Sequence, residues 1–111
     1  MHELSISRNI AAIAAEAAGG RRVRRVTVEV GRLSGVMPEA LRFSFDAVID
    51  GTPLSGAALE IREIDGRARC RACGAEFPMP SFLAACACGS RRLERLAGEE
   101  LNVKSLDLED D

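Results

Sequence analysis

The 111-residue sequence contains no tryptophan, no tyrosine, a single histidine and no long apolar run. One histidine excludes a metal cage built from several imidazoles. It also confines any Ser/His/Asp triad or Cys/His pair to His2, a poor place to preorganise catalysis. No general acid/base pair or nucleophile stands in a plausible pocket pattern, so the chain does not read as an enzyme. The lack of Trp and Tyr removes the usual platforms for base stacking. Fifteen Lys and Arg against seventeen Asp and Glu give a net charge of −2, which excludes a globally basic nucleic-acid binder. No apolar stretch approaches the roughly 18 residues of a membrane helix. The opening MHELSISRNIAAIAAEAAGG has neither the cationic start nor the strongly apolar centre of a signal peptide. The expectation is a cytoplasmic chain that binds neither membrane nor nucleic acid, as a monomer or weak homodimer.

Against these scarcities, helical and strand periodicities are clear. Ile6, Ile10, Ile13 and Ala17 form one stripe over residues 3–18, stopped by Gly19-Gly20. Val26, Val28 and Val30 alternate with Thr27 and Glu29, a strand over 23–30. The loop GRLSGV follows. Pro38 then opens a second helix to about residue 49, with Leu41, Phe45 and Val48 inward. Ala57, Leu59 and Ile61 mark a strand running to Asp65, and Leu101, Val103, Leu106 and Leu108 mark a last one. The tail Glu109-Asp110-Asp111 reads as a solvated end. The expected fold is α+β (α/β sandwich-like): two helices packed on a small mixed three-stranded sheet, with an inserted zinc-ribbon lobe. Residues 1–65 plus 99–111 form one domain and residues 66–98 the other.

The lobe carries all four cysteines, as Cys70-Arg-Ala-Cys73-Gly and Cys86-Ala-Cys88-Gly with twelve residues between. Cytoplasmic disulfides are rare, so four cysteines point to a metal or to redox chemistry. Two pairs on tight turns suit tetrahedral zinc, with Gly74 and Gly89 supplying positive φ. Zinc also accounts for a lobe of some thirty residues whose apolar content is Phe77, Phe82, Leu83 and a few alanines. A site closed by four protein ligands is structural. The bland alternative is a set of reduced or redox-active thiols, but Cys70 follows a strand-like segment rather than opening a helix. The second pair is C-x-C rather than C-x-x-C, with Ala85 where a first cysteine usually stands. Six arginines against Glu76 and Glu94 make residues 66–98 about +4, falling to about +2 with a zinc tetrathiolate. That charge gives modest support to a second reading, a zinc-ribbon interaction or nucleic-acid-binding module.

His2, read blandly, is an exposed histidine without a role. Its position allows more. The Met1 amine, the His2 backbone nitrogen and the His2 imidazole can chelate one ion in fused rings, and the Glu3 backbone nitrogen completes a planar set. Tetragonal Ni(II) or Cu(II) prefers that arrangement. A helix beginning near Glu3 leaves these amides without intrahelical acceptors, so losing their protons breaks no helical bond. The amine, with a pKa near 8, must also deprotonate, which makes binding pH-dependent.

The segments MHELSI, GRLSGVMPEALRFSFDAVIDGTPLSGAALEI, the paired cysteines and GEELNVKSL together resemble the HypA/HybF family of nickel metallochaperones for [NiFe]-hydrogenase maturation, some of which also serve urease. The resemblance runs in order over essentially the whole chain. It implies an α/β nickel-binding domain interrupted by a zinc domain. It implies nickel at Met1, His2 and Glu3, and zinc on Cys70, Cys73, Cys86 and Cys88. It also implies a HypB-type GTPase and the hydrogenase large subunit as partners, with urease accessory proteins as further ones. The family usually has C-P-x-C in the second pair; here A-C-A-C matches Cys88 and leaves Cys86 shifted by one position.

Overall fold

A computed structural model describes residues 2–109. Its elements in chain order are α1 (Glu3–Ala18), β1 (Val23–Gly31), α2 (Pro38–Ile49), β2 (Ala58–Ile64), β3 (Arg67–Cys70), β4 (Glu76–Pro78), β5 (Leu93–Ala97) and β6 (Leu101–Leu108). They form one sheet of order β2-β1-β6 and a second of order β4-β3-β5. The first is mixed. Gly31 N–H donates to Glu100 O at 2.7 Å and Glu109 N–H to Arg22 O at 3.0 Å, so β6 runs antiparallel to β1. Arg25 near the start of β1 pairs with Glu60, while Arg32 just past its end donates to Ile64 O, so β2 runs parallel to β1, joined by α2 as the crossover.

By its own contacts the chain divides into two compact units. One comprises Met1–Glu29, Val36–Arg62 and Asn102–Asp111; the other comprises Val30–Gly35 and Glu63–Leu101. In the first unit, α1 and α2 lie side by side and parallel. Glu3 meets Met37, and one turn later the Ser7 hydroxyl donates to Leu41 O at 3.2 Å, the same offset of 34 residues. The buried face of α1 is Ile6, Ser7, Ile10, Ala14 and Ala18. The expected stripe is therefore turned: Ile13 and Ala17 are exposed. At about 100° per residue, Ser7, Ala14 and Ala18 share one face with Ile6 and Ile10, and Ile13 falls at its margin. On α2, Leu41 and Phe45 are buried as expected, joined by Ile49 while Val48 is half-buried. In β1, Thr27 is buried along with Val26 and Val28, as befits the central strand.

The second unit has a small core of its own. Leu33, Ala68 and Met79 are buried, with Phe77, Ala84 and Leu93 packed against them. Phe82 and Leu83, counted in the lobe's scant apolar content, are exposed, and the Arg95 guanidinium lies over the Phe82 ring at 5.2 Å. The strands β4 and β5 carry no period-2 pattern; they are three and five residues long. Each adds one residue, Phe77 or Leu93, to that core, and the register sets an exposed charge row above it. Arg69 on β3 stands opposite Glu76 on β4 and Glu94 on β5, and pairs with them at 3.1 and 3.4 Å. The tail is not wholly free: Glu109 is tied to Arg22 through backbone and side chain. Met1, Asp110 and Asp111 lie outside the described residues.

Candidate metal centres

Two turns of related design bring the cysteines together. In the first, Cys70 N–H donates to Ala75 O and Gly74 N–H to Cys70 O, both at 2.8 Å. In the second, Cys86 N–H donates to Ser90 O at 2.9 Å and Gly89 N–H to Cys86 O at 2.8 Å. Each closed loop in the second turn is one residue shorter, so C-x-C forms a tighter version of the same knuckle. Both turns end on a glycine at positive φ, +79° at Gly74 and +95° at Gly89, where a side chain would be strained. The four sulfurs all lie within 4.8 Å of one another, Cys70 to Cys88 at 3.7 Å and Cys73 to Cys86 at 3.5 Å. A zinc ion with sulfurs at about 2.3 Å sets tetrahedron edges of about 3.8 Å. The donor set fits zinc.

The thiols are not equivalent. Cys70 and Cys86 are buried, Cys73 and Cys88 exposed. N–H groups of Cys73 and Ala72, helped by the Cys88 and Cys73 thiols, lower Cys70 to about 6 against the effect of burial. The Cys88 N–H pulls Cys86 the same way, but burial and the surrounding sulfurs outweigh it and raise Cys86 to about 12. Cys70 is thus ready to ligate at neutral pH, while Cys86 holds its proton more firmly than an ordinary thiol.

At the other end of the sequence, His2 is the N-cap of α1, extended at φ −80° and ψ 135°, exposed, and makes no side-chain cap bond. The first bond of the helix runs from Ile6 N–H to His2 O, leaving the Glu3 amide without an intrahelical acceptor. The Glu3 carboxylate is engaged. It accepts from its own N–H and from Met37 N–H, the latter at 3.3 Å, and these donors hold it below the ordinary glutamate range. Met1, the third residue expected at this site, lies outside the described residues. Sequence reasoning missed Met37.

The four cysteines and the N-terminal residues together prompt comparison with known proteins. A family model described as "HypA: Hydrogenase/urease nickel incorporation, metallochaperone, hypA" matches residues 1–108. The chain belongs to the HypA family. That places it among the nickel metallochaperones of hydrogenase maturation. The hydrogenase maturation factor HypA of a Nostoc species is 49% identical over 99% of this chain and 97% of its own length. That of Geobacter metallireducens is 46% identical over 98% and 100%. The fold matches the solution structure of the nickel metallochaperone HypA from Helicobacter pylori with a TM-score of 0.70, at 23% identity and 97% coverage of both chains. No helix among the described residues is long and apolar enough to cross a membrane.

Proposed function

We propose that this chain carries Ni(II) on its first residues and passes it to a maturation partner, while zinc ties its cysteine lobe together. The nickel ligands are the Met1 amine, the His2 backbone nitrogen and imidazole, and the Glu3 backbone nitrogen. The zinc ligands are Cys70, Cys73, Cys86 and Cys88. Residues 1–65 with 99–111 serve nickel, and residues 66–98 serve zinc. The observation that carries the reading is the exposed His2, uncommitted to capping, beside an amide outside the helical ladder, in a chain matched end to end by the family model.

A shallow site of this kind exchanges its ion readily, which suits transfer rather than catalysis. Zinc, when bound, draws the two knuckles together and withdraws four thiols from oxidation. The recipient side consists of hydrogenase-maturation factors in the cytoplasm, a HypB-type GTPase and the hydrogenase large subunit, with urease accessory proteins as further candidates. Nickel titration of untagged protein tests the reading. His2→Ala is expected to weaken binding by about 100-fold or more, since an imidazole ligand is lost outright where even supporting groups are worth 10- to 100-fold. Undiminished affinity in that variant would sink it.

A further inference from the structure

The turn between β4 and the second knuckle holds two large apolar side chains in solvent. Met79 before it is buried, and Ala84 at its end packs on the lobe core. Leu83 N–H donates to the Ser81 hydroxyl and Ala84 N–H to Ser81 O, both at 3.2 Å, so the turn is pinned. Its central residues are Phe82 and Leu83, 55% and 80% exposed, where turns ordinarily place polar residues or glycine. A scattered surface leucine needs no explanation, but a phenylalanine and a leucine side by side on an anchored turn form a patch. Basic groups stand on the same lobe. Arg91 and Arg92 lead into β5, the strand that carries Arg95, and Arg71 N–H donates to Arg92 O at 2.8 Å. Arg69 and Arg95 are paired with Glu76, Glu94 and Glu99, whereas exposed Arg71, Arg91 and Arg92 pair with no acid among the described residues. Residues 66–98 carry six arginines against two acids, and the rest of the chain nine basic residues against fifteen acidic ones. The positive charge is thus concentrated in the lobe.

We propose that the Phe82-Leu83 turn, with Arg71, Arg91 and Arg92, is a docking surface for a partner protein, engaged through an acidic segment that bears large apolar side chains. The apolar pair supplies the anchor, and it is held in place before the partner arrives. The arginines pair with carboxylates through their planar forks and steer the encounter. Phenylalanine and arginine are both enriched at protein interfaces. Nucleic acid suits the surface less: the lobe keeps only about +2 with a zinc tetrathiolate bound, and its one exposed ring is already covered by Arg95. None of these residues ligates zinc or belongs to the N-terminal site, so the surface stands apart from where nickel binds.

The probe is a phage-displayed library of random peptides, panned on the zinc-loaded full chain. Enriched sequences are expected to combine Asp and Glu with Leu or Phe, and a fluorescent copy of the strongest is then titrated against variants by anisotropy. Phe82→Ser with Leu83→Ser is expected to weaken binding by about tenfold or more, as is Arg91→Glu with Arg92→Glu. Raising salt from about 0.05 to about 0.5 M should weaken binding to the parent and change little in the arginine variant. Both variants should keep one zinc per chain and the parent's nickel affinity. Enrichment of neutral or basic peptides overturns the proposal, as does parent-like binding of the acidic peptide by Phe82→Ser with Leu83→Ser. If that variant loses its zinc, the arginine variant decides: undiminished binding there overturns it. Duplex DNA binding, or dimerisation of the chain in sedimentation, that is lost in both variants would assign the surface to nucleic acid or to a second copy, and either result overturns it.

Discussion

Cys86 stands in a C-x-C pair rather than C-x-x-C, yet its sulfur lies 3.5 Å from that of Cys73 inside the four-sulfur cluster. Cys86→Ala is therefore expected to lower zinc affinity and reduce the sulfur count at zinc from four to three by X-ray absorption. Four sulfurs in that variant would remove Cys86 from the ligand set. Proton competition supplies a second prediction at this scale. Cys70 is lowered to about 6, so above that value it meets the metal already ionised, and below it a further proton must be displaced. Zinc affinity should fall with pH throughout, and its slope against pH should steepen by about one proton below pH 6. A slope unchanged there, or in Cys70→Ser relative to parent, would contradict the assignment. The cysteines were legible from spacing and compartment alone. The tighter knuckle was not, because a one-residue deletion changes the hydrogen-bond pattern in a way only the backbone reveals.

Between α1 and α2 the decisive contacts are small and polar. Ser7 is fully buried, and its hydroxyl donates to a carbonyl on the neighbouring helix. Ser7→Ala should cost about 1 kcal/mol in a urea melt, the usual net value of one buried hydrogen bond. A stability equal to the parent would mean that the bond contributes nothing. This explains why hydrophobic periodicity located both helices but misjudged the inner face of α1. The count favours Ile13 because it is apolar; the buried face instead takes in Ser7, whose hydroxyl meets α2. The longer strands were legible through valine and leucine alternation. The lobe strands were not, since β3, β4 and β5 are too short to show a repeat and each adds a single residue, Ala68, Phe77 or Leu93, to the small core.

Taken as a whole, the sequence reads as one helical pair, one mixed sheet and one metal-held lobe, and the structure adds how tightly the second unit is closed. Leu33, from the loop after β1, packs beside Gly66 and Gly98, where there is no room for a side chain. A Cβ on Gly66 would stand 2.1 Å from Met79 O, and one on Gly98 would stand 2.7 Å from the Gly66 Cα and 2.8 Å from Leu33. Gly66→Ala should lower the melting temperature of the zinc-loaded protein through about 1–3 kcal/mol of overpacking. Unchanged melting would show that the backbone relaxes freely there. Gly66 was readable as a boundary, but a glycine needed for close approach looks the same in sequence as one needed for a turn. Leu33 was unreadable because its partners lie more than thirty residues downstream.

The proposed nickel site lies on the first residues, with His2 as the sole imidazole in the chain. The most direct test is a nickel titration of zinc-loaded protein with a free Met1 amine against the same protein acetylated at that amine, with His2 and every cysteine intact. Blocking the amine removes one nitrogen of the proposed set and is predicted to weaken nickel binding by about 100-fold while leaving one zinc per chain. Equal nickel affinity in the two proteins would contradict it.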